Sequence, residues 1–319
     1  HAHIIIIDDP LTPNMADSDE MRNKANNFFS NTIPTRKINK KVTPLILIMQ
    51  RLHEDDPAGN MISKGDVVEN LKMPGTDEYE ICPPSLKALY KDGLLDVNRL
   101  GRKELDNLKI DLGTIGFDNQ IGQQPSNAKG IIFKKAWFNI IELESLPKEF
   151  YLSAVKFNAD TAQKIKESND PTGIIVYCVF NNVMYILEWI SKKMEFTTIV
   201  SEIKSVWENN SNKGSIFYVE PKSSGSSVVS QLRISTKINI VEYKMPSGDK
   251  LQRANPCTAY CEAGRVVLIK GRWNKDFIDQ VTGFPKAKND EAIDNLSMAI
   301  TQEFIRNGIA PSGRKWVAN

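Results

Sequence analysis

The sequence predicts an α/β chain in two parts: a short parallel sheet with its helices, then a mixed sheet flanked by helices. Three observations carry this. Residues 4–7 are four successive isoleucines and 45–49 are a second unbroken apolar run, the habit of parallel strands buried on both faces. Residues 173–180 and 183–190 are apolar runs separated by Asn181-Asn182, which suits a two-residue hairpin turn. From residue 197 onward, helical stretches alternate with short apolar strands.

At 319 residues the chain is long enough for two domains, each with its own core. No apolar run approaches the roughly 20 residues that a membrane-spanning helix needs. The run 4–7 has neither a basic flank nor a cleavage site, so no signal peptide is expected. The net charge of +2 means that a nucleic-acid partner must be held by a local patch. Cys82, Cys178, Cys257 and Cys261 form no CxxC pair, and three histidines are too few for an obvious zinc site; a reducing cytoplasm is expected.

The first strand ends in Asp8 and Asp9 and is closed by Pro10. In nucleotide-hydrolysing motors such a strand presents one acid to Mg²⁺ and the next to water; an Asp-Pro turn is the plain alternative. Residues 16–29 read as a helix, with Asp17 or Ser18 as N-cap. The strand 45–49 delivers Gln50 and Arg51 to the edge where open α/β sheets bind ligands. No GxxxxGK[ST] occurs, so the phosphate-cradling loop is missing and the first part reads as a piece of a larger ATPase domain. Residues 83–95 and 102–109 read as helices, and 113–130 as a loop rich in Gly, Pro, Ser, Asn and Gln. The domain boundaries are therefore set at 1–125, a linker 126–147, and 148–319.

In the second part, 150–158, 173–180, 183–190, 215–220, 238–244 and 265–269 read as strands. Residues 197–209, 226–235, 250–262, 275–281 and 290–307 read as helices, with Gly264 and Gly308 just past two of their ends. Asp160 ends the first of these strands, Glu220 ends the fourth, and Asp290 and Asp294 share one face of the closing helix. Each has an ordinary reading: a turn cap at Asp160, a solvated strand end at Glu220, a helix-dipole partner at Asp290, a surface residue at Asp294. Together, in this order on this strand pattern, they suit a set of oxygen ligands for divalent ions, which would offset their mutual repulsion over a phosphodiester. Lys164, Lys222, Lys250 and Arg253 are then candidates to position a nucleic-acid backbone.

These residues resemble the large subunit of tailed-phage terminases over nearly the whole chain. IIIIDDP (4–10) resembles the family's Walker B strand, with Asp8 in the place of the Mg²⁺ ligand and Asp9 in that of the catalytic carboxylate. LILIMQRLHEDDPAG (45–59) resembles the motif coupling ATP hydrolysis to movement, and GQQPSNAKGIIF (122–133) the joint between motor and nuclease. ADTAQK (159–164), YVEPKSSG (218–225), DKLQRA (249–254), EAGRV (262–266) and FPKAKNDEAID (284–294) follow the order of the RNase H-like nuclease domain. The resemblance implies a truncated P-loop-type sheet followed by an RNase H-like domain. It implies a two-metal endonuclease using Mg²⁺ or Mn²⁺, with Asp160, Glu220 and Asp290 as metal ligands and Asp294 as an auxiliary acid. Where the family shows DD, this chain has Asn289-Asp290, so one auxiliary carboxylate is lost. ATP and its Mg²⁺ belong to the full-length protein only.

The implied partners are double-stranded DNA, the portal protein and the small terminase subunit. The resemblance further implies a ring on the procapsid, a monomer in isolation, no membrane association, and a place in the infected host's cytoplasm but not in the mature virion. An alternative is a DNA-grip and portal-docking module with weak or lost cutting. A resolvase or transposase on the same sheet is disfavoured by the motor-like first part.

Overall fold

The computed structural model describes residues 1–67, 69–125, 132–161, 171–221, 224–246, 248–287 and 289–313. It divides into two compact units, His1–Gly130 and Ile131–Asn319.

In the first unit, β1 (Ile5–Asp8) pairs parallel with β2 (Leu45–Ile48), from Ile5 opposite Leu45 to Asp8 opposite Ile48. Expected to be buried on both faces, the strands instead alternate. Ile4, Ile6, Ile46 and Ile48 are 58%, 62%, 45% and 54% exposed, so one face of this small sheet is left uncovered by the described residues of the unit. Between the strands lie α1 (Pro13–Ala16), α2 (Asp19–Asn27), a π-turn (Phe28–Thr32) and α3 (Ile33–Arg36). Ser18 caps α2 by accepting from the Met21 N–H. α4 (Pro57–Ser63) starts at Asp56, whose fully buried carboxylate accepts from the Gly59 and Leu52 N–H groups and from Arg51 Nε at 2.8, 2.9 and 3.0 Å.

Two further expectations change in this unit. The helix expected over 83–95 is only a 3-10 segment, Pro84–Leu89, because the backbone turns extended at Tyr90 and left-handed at Asp92 (φ 53°) and Gly93 (φ 78°). α5 (Arg102–Gln120) runs through what the sequence suggests is a loop, with one break at Gly113 (φ 68°, ψ 172°). Leu105 and Phe117, one on each side of that break, pack with Leu94 and pull both segments onto the same core.

The second unit is built on a seven-stranded sheet. Its strands are β3 (Asn139–Ile141), β4 (Lys156–Asp160), β5 (Thr172–Phe180), β6 (Val183–Lys192), β7 (Ile216–Val219), β8 (Ile240–Glu242) and β9 (Val266–Ile269), in the order β3-β9-β6-β5-β4-β7-β8. β4, β5 and β6 form an antiparallel meander; β7 runs parallel to β4, β8 to β7, β9 to β6 and β3 to β9. Asn181 and Asn182, at φ 51° and 58°, make the β5–β6 turn with both residues left-handed, the geometry that asparagine tolerates. Residues 132–147, expected to be linker, instead supply the edge strand β3 and the buried Ile132, Phe133 and Phe138. Residues 150–152, expected to extend β4, form a 3-10 turn.

One face of this sheet is covered by α6 (Phe196–Asn210) and α7 (Gly225–Ser235). Phe157, Ala159, Ile174, Val176, Phe217 and Val219 from the sheet meet Ile199, Ile203, Val228 and Leu232 from the helices there. The other helices are α8 (Lys250–Glu262), α9 (Asn274–Gly283) and α10 (Glu291–Ile300), the last continuing as a π-turn, Thr301–Ile305. α10 packs against β4 and β5 and against α8 and α9.

Candidate active site

Two parallel strands bring the first two acids together. The β4–β7 register runs from Lys156 opposite Ile216 to Ala159 opposite Val219, so Asp160 and Glu220 follow as neighbours at one end of the sheet. The Glu220 N–H donates to the Ala159 carbonyl at 3.2 Å, carrying the pairing one residue beyond the strand. Paired strands lie about 4.8 Å apart. The register is locked by Phe157 and Phe217, which are paired residues with rings stacked at 5.2 Å and no exposure. Glu220 is 5% exposed. The chain turns sharply after it: a Cβ on Gly225, at the start of α7, would lie 2.0 Å from the Glu220 carbonyl oxygen, so only glycine fits there.

The face on which Asp160 stands follows from its other neighbour. Asp160 pairs with Gly173 on β5, and directly opposite residues of an antiparallel pair point to the same face. A Cβ on Gly173 would meet Trp189, Asn295 Nδ2 at 2.8 Å and Glu291 Cβ at 2.9 Å. Asn295 Nδ2 also donates to the Gly173 carbonyl at 3.3 Å. The first turns of α10 therefore rest on the strand beside Asp160, on the face opposite α6 and α7.

α9 fixes where α10 begins. Gln280 Oε1 accepts from the Ala292 N–H, one of the open donors of the first turn, at 3.3 Å. Gln280 is itself held by Asp276, which also accepts from Trp189 Nε1 at 2.9 Å. This chain of contacts was not legible in the sequence, since it depends on α9 and β6 meeting in space. Glu291, 8% exposed and packed on Gly173, is another acid of this corner that the sequence reading passed over; the run NDEAID held the signal, as Asp290-Glu291 is an acidic pair.

The remaining acids are engaged by α8. That helix opens with a capping box in which Asp249 accepts from the Gln252 N–H and Gln252 accepts from the Asp249 N–H, both at 2.9 Å. This sets Lys250 and Arg253 one turn apart on one face. Lys250 Nζ lies 2.7 Å from Asp290 Oδ1 and 2.6 Å from Asp294 Oδ2, and Arg253 contacts Asp294 Oδ1 at 3.1 Å. Burial alone would push the Lys250 ammonium down, but the two carboxylates outweigh it and hold its pKa above the usual lysine value. Asp290 sits at the N-cap of α10 without a capping hydrogen bond; its carboxylate goes to Lys250 instead. Lys250 and Arg253, expected against a nucleic-acid backbone, thus contact the acids themselves. Lys164 and Lys222 lie outside the described residues.

Among the described residues, no group of three or more His, Cys, Asp and Glu side chains is gathered closely enough to hold a metal ion. The donor set at the strand ends is nonetheless all carboxylate, the chemistry that suits Mg²⁺ or Mn²⁺ rather than a softer ion. Asp160 and Glu220 are the adjoining pair, and Asp290 and Asp294 turn to Lys250. In the first unit, Asp8, Asp9 and Gln50 are exposed at the ends of β1 and β2, while the Arg51 guanidinium is spent on Asp56 and its backbone N–H donates to Gln123 Oε1.

Comparison with known proteins gives this geometry a context. Residues 158–303 match the family model of the terminase RNaseH-like domain. The large terminase of a thermophilic bacteriophage is similar with a TM-score of 0.55 at 13% identity, over 90% of this chain and 66% of its own. The same phage's terminase in complex with ADP gives 0.54 at 13% identity, over 95% and 70%. The large terminase nuclease of a second thermophilic phage, G20c, solved with bound magnesium, covers 98% of its own length and 55% of this chain at 14% identity; its TM-score of 0.41 adds nothing to the fold assignment. No curated protein matches the chain. Residues 158–303 thus carry the likeness to the terminase RNaseH-like domain family, and the chain shares the mixed α/β fold of a phage large terminase.

Proposed function

We propose that this chain is the nuclease-bearing part of a DNA-packaging terminase large subunit, cutting double-stranded DNA with divalent metal ions. The observation that carries the reading is the β4–β7 register, which sets Asp160 and Glu220 side by side on the face where α10 begins. Asp160 and Glu220 would hold one ion, and Asp290, with Asp294 as an auxiliary, would complete the set. When bound, such ions activate the attacking water and stabilise the departing 3′ oxygen. The protein's own part is to fix the carboxylates: the stacked phenylalanines hold the strand register, Gly225 lets the chain turn behind Glu220, and Gln280 anchors the start of α10. Lys164 and Lys222 are candidates to hold the DNA backbone.

The first unit is read as the motor-derived part. Asp8, Asp9, Gln50 and Arg51 are candidates for its nucleotide-responsive edge, and ATP-driven translocation is assigned to the longer protein. The chain spans 66% of the thermophilic phage's large terminase that it resembles. Portal protein, small terminase subunit and procapsid in the host cytoplasm are the partners and place that this reading carries with it. No helix among the described residues is long and apolar enough to cross a membrane.

The test is nicking of supercoiled plasmid in Mn²⁺ by wild type and by Asp160→Asn, Glu220→Gln and Asp290→Asn, each checked for folding. Loss of about 10²-fold or more in every variant is expected, on the scale at which single charge-stabilising groups matter. Undiminished nicking by all three would refute the reading. One observation favours the second reading, a DNA-grip and docking module: the ion pairs of Lys250 and Arg253 already neutralise Asp290 and Asp294. That module would nick in neither wild type nor variants.

A further inference from the structure

The acids of the candidate site fall into two pairs. Asp160 and Glu220 adjoin through the sheet. Asp290 and Asp294 are one turn apart on α10 and share a single ammonium, Lys250 Nζ, at 2.7 and 2.6 Å. Those separations are at the short end for a charge-assisted hydrogen bond. Arg253 adds a second cation on the far oxygen of Asp294, with both side chains nearly buried at 13% and 12% exposed. Two negative charges therefore face two positive ones, and little net charge remains on this side to attract a divalent ion. The arrangement is built: the α8 capping box sets Lys250 at the first helical position and Arg253 three residues on, both toward α10.

Resting on the nuclease reading above, we propose that Lys250 is a positioning residue that stands in for the second divalent cation. The resting protein takes one ion, at Asp160 and Glu220. A second ion is held by Asp290 and Asp294 only after the Lys250 ammonium has moved off them. Lys250 thereby keeps the start of α10 ordered without metal and limits the site to one ion until it is displaced.

The experiment is calorimetric titration of Mn²⁺ into the whole chain, as wild type, Lys250→Gln, Lys250→Arg and Glu220→Gln, with thermal melts of each protein with and without Mn²⁺. Wild type and Lys250→Arg should take one ion, and Glu220→Gln should lose it. Lys250→Gln should gain a second ion, bound at least tenfold tighter than any second event in wild type. Its melting temperature should fall without Mn²⁺ and recover with it by more than the wild-type shift. A purely structural lysine would lower the melting temperature without adding a second ion, and that outcome overturns the proposal. Two equally tight ions in wild type overturn it as well, whatever the variant does. If no protein shows Glu220-dependent binding, the nuclease reading falls too, a result distinct from Glu220-dependent binding that Lys250→Gln leaves unchanged.

Discussion

His53 Nδ1 accepts a hydrogen bond from the Asp55 N–H at 3.0 Å, so the first unit holds this ring neutral, with its proton on Nε2. Burial lowers its pKa below the usual 6.5 and the Arg22 guanidinium adds to this; the carboxylates of Asp55, Asp56 and Glu54 pull the other way and do not prevail. The fold therefore binds fewer protons than the unfolded chain at pH values just under 6.5. The stability that His53 contributes is fully present above that value and is lost as the pH falls from 6.5 toward the folded value. An NMR titration of the imidazole, assigned with His53→Gln, should give a midpoint below 6.5. A midpoint at or above 6.5 would contradict this account of the ring. At the same scale, Asp160 and Glu220 could be picked out because each ends a strand in a recognisable run. The ion pairs of Lys250 and Arg253 could not, because they join residues about 40 positions apart through the packing of α8 on α10.

Among elements, those set by local signals are legible in the sequence and those set by non-local pairing are not. β5 and β6 are apolar runs joined by two asparagines, and α8 runs from Lys250 to Glu262 as expected, with Gly264 past its end. β3 has three residues inside a stretch of linker-like composition and exists only because β9 offers it an edge. The helix expected over 83–95 shrinks to a 3-10 segment because the backbone is extended at Tyr90 and left-handed at Asp92 and Gly93, so the helical conformation cannot continue. The pairing of β4 with β7 has the largest consequence for the site, and its stacked phenylalanines are its most exposed weakness. Phe217→Ala removes a ring with no exposure from the register lock. Destabilisation of about 3–5 kcal/mol is expected in chemical denaturation of the second unit. A cost under about 1 kcal/mol would show that the stacked pair does not hold the register.

At the scale of the whole molecule, the chain is two units of different build. The second has a seven-stranded sheet with helices packed on both faces, and its family match, 158–303, spans the strands and helices that carry Asp160, Glu220, Asp290 and Asp294. The first has a two-stranded sheet whose isoleucines are exposed on one face. The class of fold was legible from the hydrophobic patterns, since both the parallel pair and the mixed sheet leave periodic traces. The exposure of Ile6 and Ile48 was not, because an unbroken apolar run states what a strand can bury and not what covers it.

The central claim is that Asp160 and Glu220 meet as the metal-holding pair of a nuclease. Anomalous diffraction at the manganese edge, from crystals of the whole chain soaked in Mn²⁺, tests it most directly. The account predicts a peak shared by the carboxylates of Asp160 and Glu220, which disappears in Glu220→Gln. A fully soaked crystal with no peak there, or with manganese bound only elsewhere, would contradict it.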